Sequence, residues 1–471
     1  MAAHPVAVPD PRPSLPQIAA LLVSAAAYAG LAYATPRAHF AQLLGLFGVA
    51  LLGYGWLLRS KLPWRWGLAA ALAFRLLWLP AVPALSDDLY RFRWDGILVA
   101  NGANPFQYRP VELIADGARA ALPDEARRAQ ALPQLQELFR AINSPNYYSV
   151  YPPVCQFIFG AAATLFPTSE ASFAACLRVI ILAAEAGTAW LLLALLAALG
   201  WPPERALRYL LHPLVIVELT GNLHFEGLLL FFFLLALWLL GRQRWAASAV
   251  ALALGVATKL LPLVALPLLL RRLGWRRFAA YAGLTIGAVL LLFGPFLSEA
   301  LFINISRSLR LYFRSFEFNA SFYYVLRTIG YWLTTYNEIA IIGPSLALTS
   351  ALVGLWLVWR ERRPELVTLP QTMLLMLTAY YLLATTVHPW YLTLLIGLSA
   401  LANFRFPLVW GGAAILSYAA YRTSAYTENL WLVGLEYAVT LAYLGWESYR
   451  LATTPPAAAT LADPLAPGQY A

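Results

Sequence analysis

The run Ser86-Asp87-Asp88-Leu89-Tyr90-Arg91-Phe92-Arg93-Trp94-Asp95-Gly96 sets two adjacent carboxylates directly after a hydrophobic span. Ionisable groups at a membrane boundary carry a high desolvation cost and mark functional positions. Acid–base chemistry is what a carboxylate pair can do there. Adjacent aspartates point apart on any regular backbone, so one site cannot use both identically. Ser86 or Asp87 can cap a helix over 89–100, with Gly102 past its end. On that helix Tyr90 and Trp94 share a face and, with Arg91, are candidate substrate contacts, while Arg91 can also pair with Asp88 or Asp95. Asp87 then faces the loop space as the candidate general base, with Asp88 as an orienting or secondary catalytic group. The plainer alternative is a helix-capping pair with no chemistry.

Other polar residues stand at the ends of apolar runs. Glu218, Asn222, His224 and Glu226 follow a short one, where they suit sugar hydroxyls or a phosphate; His-x-Glu would hold a metal only with further ligands. The diacid could take a divalent ion through its oxygens, so metal dependence stays open. His388, before Pro389 and Trp390, sits at another such boundary. Lys259 lies among apolar residues, where an unpaired ammonium is either functional or snorkels to the interface. Arg75, Arg178 and Glu185 also fall inside apolar spans; Arg178 and Glu185, two turns apart, are expected to point into the bundle together in a structural role.

These residues need a membrane scaffold to hold them. The chain has 471 residues, 61% hydrophobic and only 12% charged, against about 25% charged in soluble domains. An all-α polytopic membrane protein follows. Apolar runs near 15–34, 39–58, 64–85, 171–199, 225–240, 278–297, 338–358, 367–386 and 430–447 can span; shorter ones bring the total to about eleven to fourteen. The net charge of +10 falls between the spans and marks topology, not a nucleic-acid surface. Arg59, Lys61, Arg65, Arg205, Arg208, Arg242, Arg244, Arg271, Arg272, Arg276, Arg277, Arg360, Arg362 and Arg363 are then cytoplasmic. The loop 86–170, the segment 221–226, the loop 298–337 and the segment 387–391 are external. This requires the apolar piece 153–166 to be re-entrant or interfacial. Arg307, Arg310, Arg314 and Arg327 break the positive-inside pattern, and either a lipid-linked phosphate or anionic head groups would explain them. Residues 1–14 read as a tail before a retained first helix, 15–452 as one transmembrane catalytic domain, and 453–471 as a flexible tail. Cys155 and Cys176 are too few for a disulfide scaffold.

Together the motifs resemble the GT-C superfamily of integral-membrane glycosyltransferases, specifically bacterial polyprenol-phosphate-mannose-dependent enzymes and, distantly, GPI mannosyltransferases. The matching pieces are Ser86–Gly96 with Asn104-Pro105-Phe106, Tyr151-Pro152-Pro153, and His212-Pro213-Leu214 leading to Gly221–Glu226. Lys259-Leu260-Leu261-Pro262, Phe316-Glu317-Phe318-Asn319 and His388-Pro389-Trp390-Tyr391 complete the set. The resemblance implies a GT-C-like bundle with interfacial helices in the first external loop. It further implies inverting transfer of a hexose, by analogy mannose, from a polyprenyl-phosphate donor to a lipid-linked or glycan acceptor. Transfer would occur on the periplasmic face of a bacterial inner membrane. Asp87 would be the base; Lys259, Arg307, Arg310, Arg314 and His388 would hold the donor phosphate; Glu317, Asn319, Trp390 and Tyr391 would join the substrate contacts. Glu226 stands where relatives more often have aspartate. A transporter or flippase of a lipid-linked sugar is the alternative that intramembrane charges and broken helices also allow; a non-catalytic scaffold would have little use for polar groups gathered on one face.

Overall fold

The structure, a computed structural model, describes residues 12–115, 122–361, 364–423 and 426–453. Regular elements among them are helical, apart from an isolated bridge between Phe318 and Thr386. The chain is an all-α polytopic membrane protein. Six described helices are long and apolar enough to cross a bilayer: Leu15–Tyr33, Phe40–Arg59, Glu170–Ala198, Trp275–Phe296, Ile339–Arg360 and Leu366–Leu383. Pro213–Gly221 and Glu226–Gly241, bent at 110° to each other, make a seventh if taken as one span. Other apolar runs of the sequence form shorter pieces, such as Trp245–Val256 and Leu392–Ala400. Prolines explain much of the breakage: Pro213, Pro262, Pro267, Pro389 and Pro407 each sit in the first turn of a new element. There the missing N–H costs nothing, whereas it would interrupt a continuing helix. Most of both expected tails, and Arg362 and Arg363, lie outside the described residues.

A single apolar cluster runs from Ala27 to Tyr437. Large apolar side chains such as Leu52, Leu291 and Trp431 remain on the outside, the arrangement lipid requires. Arg75, Arg178 and Glu185 inside the bundle all find partners, but not as the sequence suggested. Arg75 pairs with Glu185 at 2.8 Å, and Tyr209 donates to the same carboxylate at 2.6 Å. Arg178 does not share that site. It donates to the carbonyls of Thr220 (2.7 Å), Gly221 (3.2 Å) and Leu79 (3.0 Å). It therefore caps the backbone where the Pro213–Gly221 element ends and leaves carbonyls unsatisfied.

In the loop after the third helix, Pro153–Leu165 has 13 residues. At 1.5 Å per residue this is about 20 Å, short of the ~30 Å hydrocarbon core. It packs on Asp88–Ala100 through two glycines. A Cβ on Gly96 would lie 2.5 Å from the Phe159 carbonyl, and one on Gly160 would lie 2.4 Å from Val99 Cγ1. Its first turn docks on the end of Trp245–Val256, where the Val154 N–H donates to Ala257 O at 2.9 Å. This docking brings Tyr151 and Lys259 to the helix that carries the aspartates.

Candidate active site

Asp87 is the N-cap of Asp88–Ala100, but its side chain makes no capping bond. Its Oδ2 instead accepts from Arg37 at 2.7 Å, an arginine in the loop between the first two helices. Asp88 turns the other way. Its Oδ2 accepts from the Tyr151 hydroxyl at 3.2 Å and faces His224 Nε2 at 3.6 Å. The expected Asp88–Arg91 pairing does not form: Arg91 donates to Asp95 Oδ1 at 2.9 Å and to the Tyr147 carbonyl at 3.0 Å. Asp95 is fully buried and has the greater need of a cation. Its second oxygen accepts from Ser149 (2.5 Å) and Gln156 (3.0 Å), which fixes the loop leading to Tyr151. Asp87 and Asp88 thus face different partners, Arg37 on one side and Tyr151 with His224 on the other. Among the described residues no three His, Cys, Asp or Glu converge as metal ligands.

His224 owes its position to the broken helix. Ile216–Gly221 is a π-turn, a form common at functional sites, and Leu223 adopts a left-handed φ of 64°. Together they swing His224 back, so that Nδ1 lies 3.0 Å from Glu218 O and 3.1 Å from Glu218 Oε2. Glu218 is fully buried and also accepts from Asn222 (3.0 Å) and the Tyr418 hydroxyl (2.7 Å). The imidazole is thus held between two carboxylates. Burial alone would push the Asp88 carboxyl up; the His224 imidazole facing it outweighs that, and Asp88 lies below its ordinary value.

The His224 ring stacks on Trp390 at 3.9 Å, Trp390 stacks on His388 at 4.3 Å, and His388 stacks on Phe318 at 4.9 Å. Phe318 is pinned to the neighbouring strand-like segment by backbone bonds to Thr385 and Val387. Asn319, at φ 48°, locks the turn through Val387 O (3.3 Å) and the buried Glu436 (3.2 Å).

Beside this cluster lies an apolar cavity of about 600 Å³. Leu260, Val264, Phe293, Leu301, Ile305 and Leu383 supply much of its wall, while Glu226, Lys259 and Tyr391 bring its polar atoms toward the cluster. Lys259 is ion-paired with Glu226 and sits 4.8 Å over the Tyr391 ring. It is also within electrostatic reach of Asp88.

The structure therefore joins Asp88, His224, Glu226, Lys259, His388, Trp390 and Tyr391, with Asn222 behind them. It does not bring the rest in. Trp94 is fully buried against Phe139, a core residue, and Tyr90 lies on the Asp87 side. Glu317 is tied up by Arg327 (2.6 Å) and Tyr323 (2.6 Å). Arg307, Arg310 and Arg314 are exposed on Glu299–Arg314, whereas Leu301, Ile305 and Ser308 turn to the cavity. At 100° per residue the arginine stripe lies on the opposite face of that helix. Sequence reasoning missed Arg37, Tyr151 and Tyr418 as site residues, and grouped Glu218 with the possible sugar or phosphate contacts, whereas its carboxylate holds His224. Arg37 had left a signal: a lone arginine in the short loop between the first two apolar runs.

A family model described as "Alpha-(1->6)-mannopyranosyltransferase, N-terminal domain" matches residues 15–273, more than half of the chain. The matched stretch contains both aspartates, the broken helix and Lys259. No curated protein matches the chain.

Proposed function

The chain belongs to the alpha-(1->6)-mannopyranosyltransferase family, and on that premise we propose that it transfers mannose from a polyprenyl-phosphate carrier to a carbohydrate hydroxyl, with Asp88 as the general base. The observation that carries this reading is the position of Asp88. It stands between His224 and Tyr151 and within electrostatic reach of Lys259, which lines the apolar cavity. The geometry favours it over Asp87, whose carboxylate is engaged by Arg37 on the other side of the helix start.

The cavity suits a prenyl chain, and Lys259 with the Tyr391 edge suits the phosphate at its head. In the reaction, the acceptor oxygen gives its proton to Asp88 and bonds to C1 of the mannose. The bond from C1 to the phosphate oxygen breaks, and the phosphate keeps the electron pair. Lys259 meets the charge that develops on the leaving group. Asp88 is ionised at neutral pH and so ready to accept the proton. One displacement inverts C1, so an α-linked product calls for a β-linked donor. Glu218 orients His224, and His224 holds the Asp88 carboxylate in its ionised form. The basic loops at the far end of the bundle support an external site, where lipid-linked donors replace nucleotide sugars.

Purified full-length protein, a synthetic β-mannosyl polyprenyl phosphate and an octyl α-mannoside test the reading. The expected product is an octyl dimannoside. Transfer from GDP-mannose in the absence of any lipid-linked donor would sink the donor assignment.

A further inference from the structure

One face of the helix Glu299–Arg314 is used neither by the bundle nor by the cavity. Ile303, Arg307, Arg310 and Arg314 recur every three or four residues and so share one side of it. Ile303 is 53% exposed, and the three arginines are exposed. Among the described residues none of these arginines has an ion pair or a hydrogen bond. A carboxylate that acts on Arg307, Glu112, is already paired with Arg109 at 2.7 Å.

The position of this face in the bundle decides what can cover it. Arg271, just before the span Trp275–Phe296, donates to the carbonyls of Val358 (2.7 Å) and Glu361 (2.6 Å) at the end of Ile339–Arg360. The two spans therefore share one basic end, which the positive-inside rule makes cytoplasmic. Glu299–Arg314 stands at their other end, on the external side. It packs on Ile339–Arg360, and its Leu301 and Ile305 line the cavity together with Gly343 and Ala347. Those two residues lie about 6–12 Å along that span from its outer end. The helix thus lies beside the outer end of the span, at the level of the lipid interface. The next helix, Phe322–Thr334, packs on the same span. It turns Val325, Ile329, Trp332 and Leu333 outward, with Trp332 83% exposed. An exposed apolar face with an indole on it is what an interfacial helix presents to lipid.

We propose that the Ile303–Arg314 face is a docking surface for anionic phospholipid head groups of the outer leaflet. Ile303 and the outer face of Phe322–Thr334 meet the upper acyl region, and the guanidinium groups take the phosphates, which they can grip through two N–H bonds each. Zwitterionic head groups offer the same phosphate but offset its charge with their own ammonium, so the surface selects lipids with a net negative charge. A soluble acidic partner would meet the arginines but leave the adjoining apolar face in water.

The full chain in nanodiscs of equal parts phosphatidylglycerol and phosphatidylcholine tests the surface. In a Cys176→Ser background, with Cys155 buried, Ser306→Cys places a single NBD fluorophore beside the stripe. A nitroxide on the upper acyl chain of one lipid or the other then reads which of them is near. Nitroxide phosphatidylglycerol should quench at least about fivefold more effectively than nitroxide phosphatidylcholine, the preference that one arginine confers near an anionic surface. The excess should shrink in about 0.5 M salt and vanish when Arg307→Gln, Arg310→Gln and Arg314→Gln are combined. A fluorophore at Leu352→Cys, lipid-exposed in the middle of the span, should be quenched equally by both. Equal quenching beside the stripe, an excess that survives the triple substitution, or the same excess at Leu352→Cys would overturn the surface. Quenching by neither lipid, with full access to acrylamide, would also overturn it and leave the stripe to a soluble polyanion.

Discussion

Replacing Asp88 by Asn keeps the shape of the side chain and removes its basicity. General-base catalysis contributes typically 10²–10⁴-fold, about 3–5 kcal/mol of barrier. The matching change at Asp87 should be far milder. Its pair with Arg37 is formed by side chains 27% and 21% exposed, and pairs at such exposure are worth at most about 1 kcal/mol, or roughly fivefold. The assay is transfer from a synthetic polyprenyl-phosphate mannose to an octyl α-mannoside, both saturating, with the protein in nanodiscs. Asp88→Asn should lower kcat by at least about 100-fold, with donor and acceptor binding retained. Asp87→Asn should keep kcat within about fivefold. A loss of two decades or more in Asp87→Asn, with Asp88→Asn near wild type, would refute the geometric argument and return the base to Asp87.

Further outcomes follow from the same contacts. Because Asp88 is held below its ordinary value, the wild-type rate should stay flat as pH falls through 6 and 5, and decline only as the carboxylate is finally protonated. In His224→Gln burial is less opposed, so the acid limb of kcat should move to higher pH. Lys259→Met strands Glu226, which is 4% exposed, and should lower Tm; adding Glu226→Gln should restore stability while the donor KM stays raised, which thermal scans and donor titrations read separately. Arg178→Met frees two buried carbonyls and one partly buried one at about 1 kcal/mol each, so a stability loss of about 3 kcal/mol is expected in thermal unfolding. Neutralising Arg307, Arg310 and Arg314 to Gln should leave the donor KM unchanged, since that stripe faces away from the cavity; a raised donor KM would put it back at the phosphate.

How far the site could be read in advance depended on what each residue needs. Asp88, His224, Lys259 and His388 stood out because a polar group at a membrane boundary demands a reason, and the structure gathers all four. The choice between the aspartates was hidden, because it is made by Arg37 and Tyr151, 50 and 63 residues away in the chain. Tyr418 reaches Glu218 across 200 residues, a distance no local pattern reports. Trp94 was misread because its spacing from Tyr90 describes a helix face without telling which neighbour covers it; here Phe139 does. Membrane character was plain from composition. The lengths of individual spans were less so, since first-turn prolines divide apolar stretches that hydropathy alone runs together. The arginines of 298–337 were visible as a charge anomaly, but their direction depends on which face of one amphipathic helix turns toward the cavity.

The pairing of Lys259 with Glu226 bears on a problem of selectivity. A bilayer is crowded with phosphate head groups and acyl chains, and an uncompensated ammonium beside an apolar cavity would bind common phospholipids indiscriminately. With Glu226 as resident counter-ion, an incoming phosphate must compete with a carboxylate already in place. A head group that brings only its phosphate gains little by that exchange. On the proposed donor reading, a ligand that also places a sugar against His224 and Asp88 has additional contacts to tip it, and the ion pair would then act as a filter against the solvent in which the protein lives.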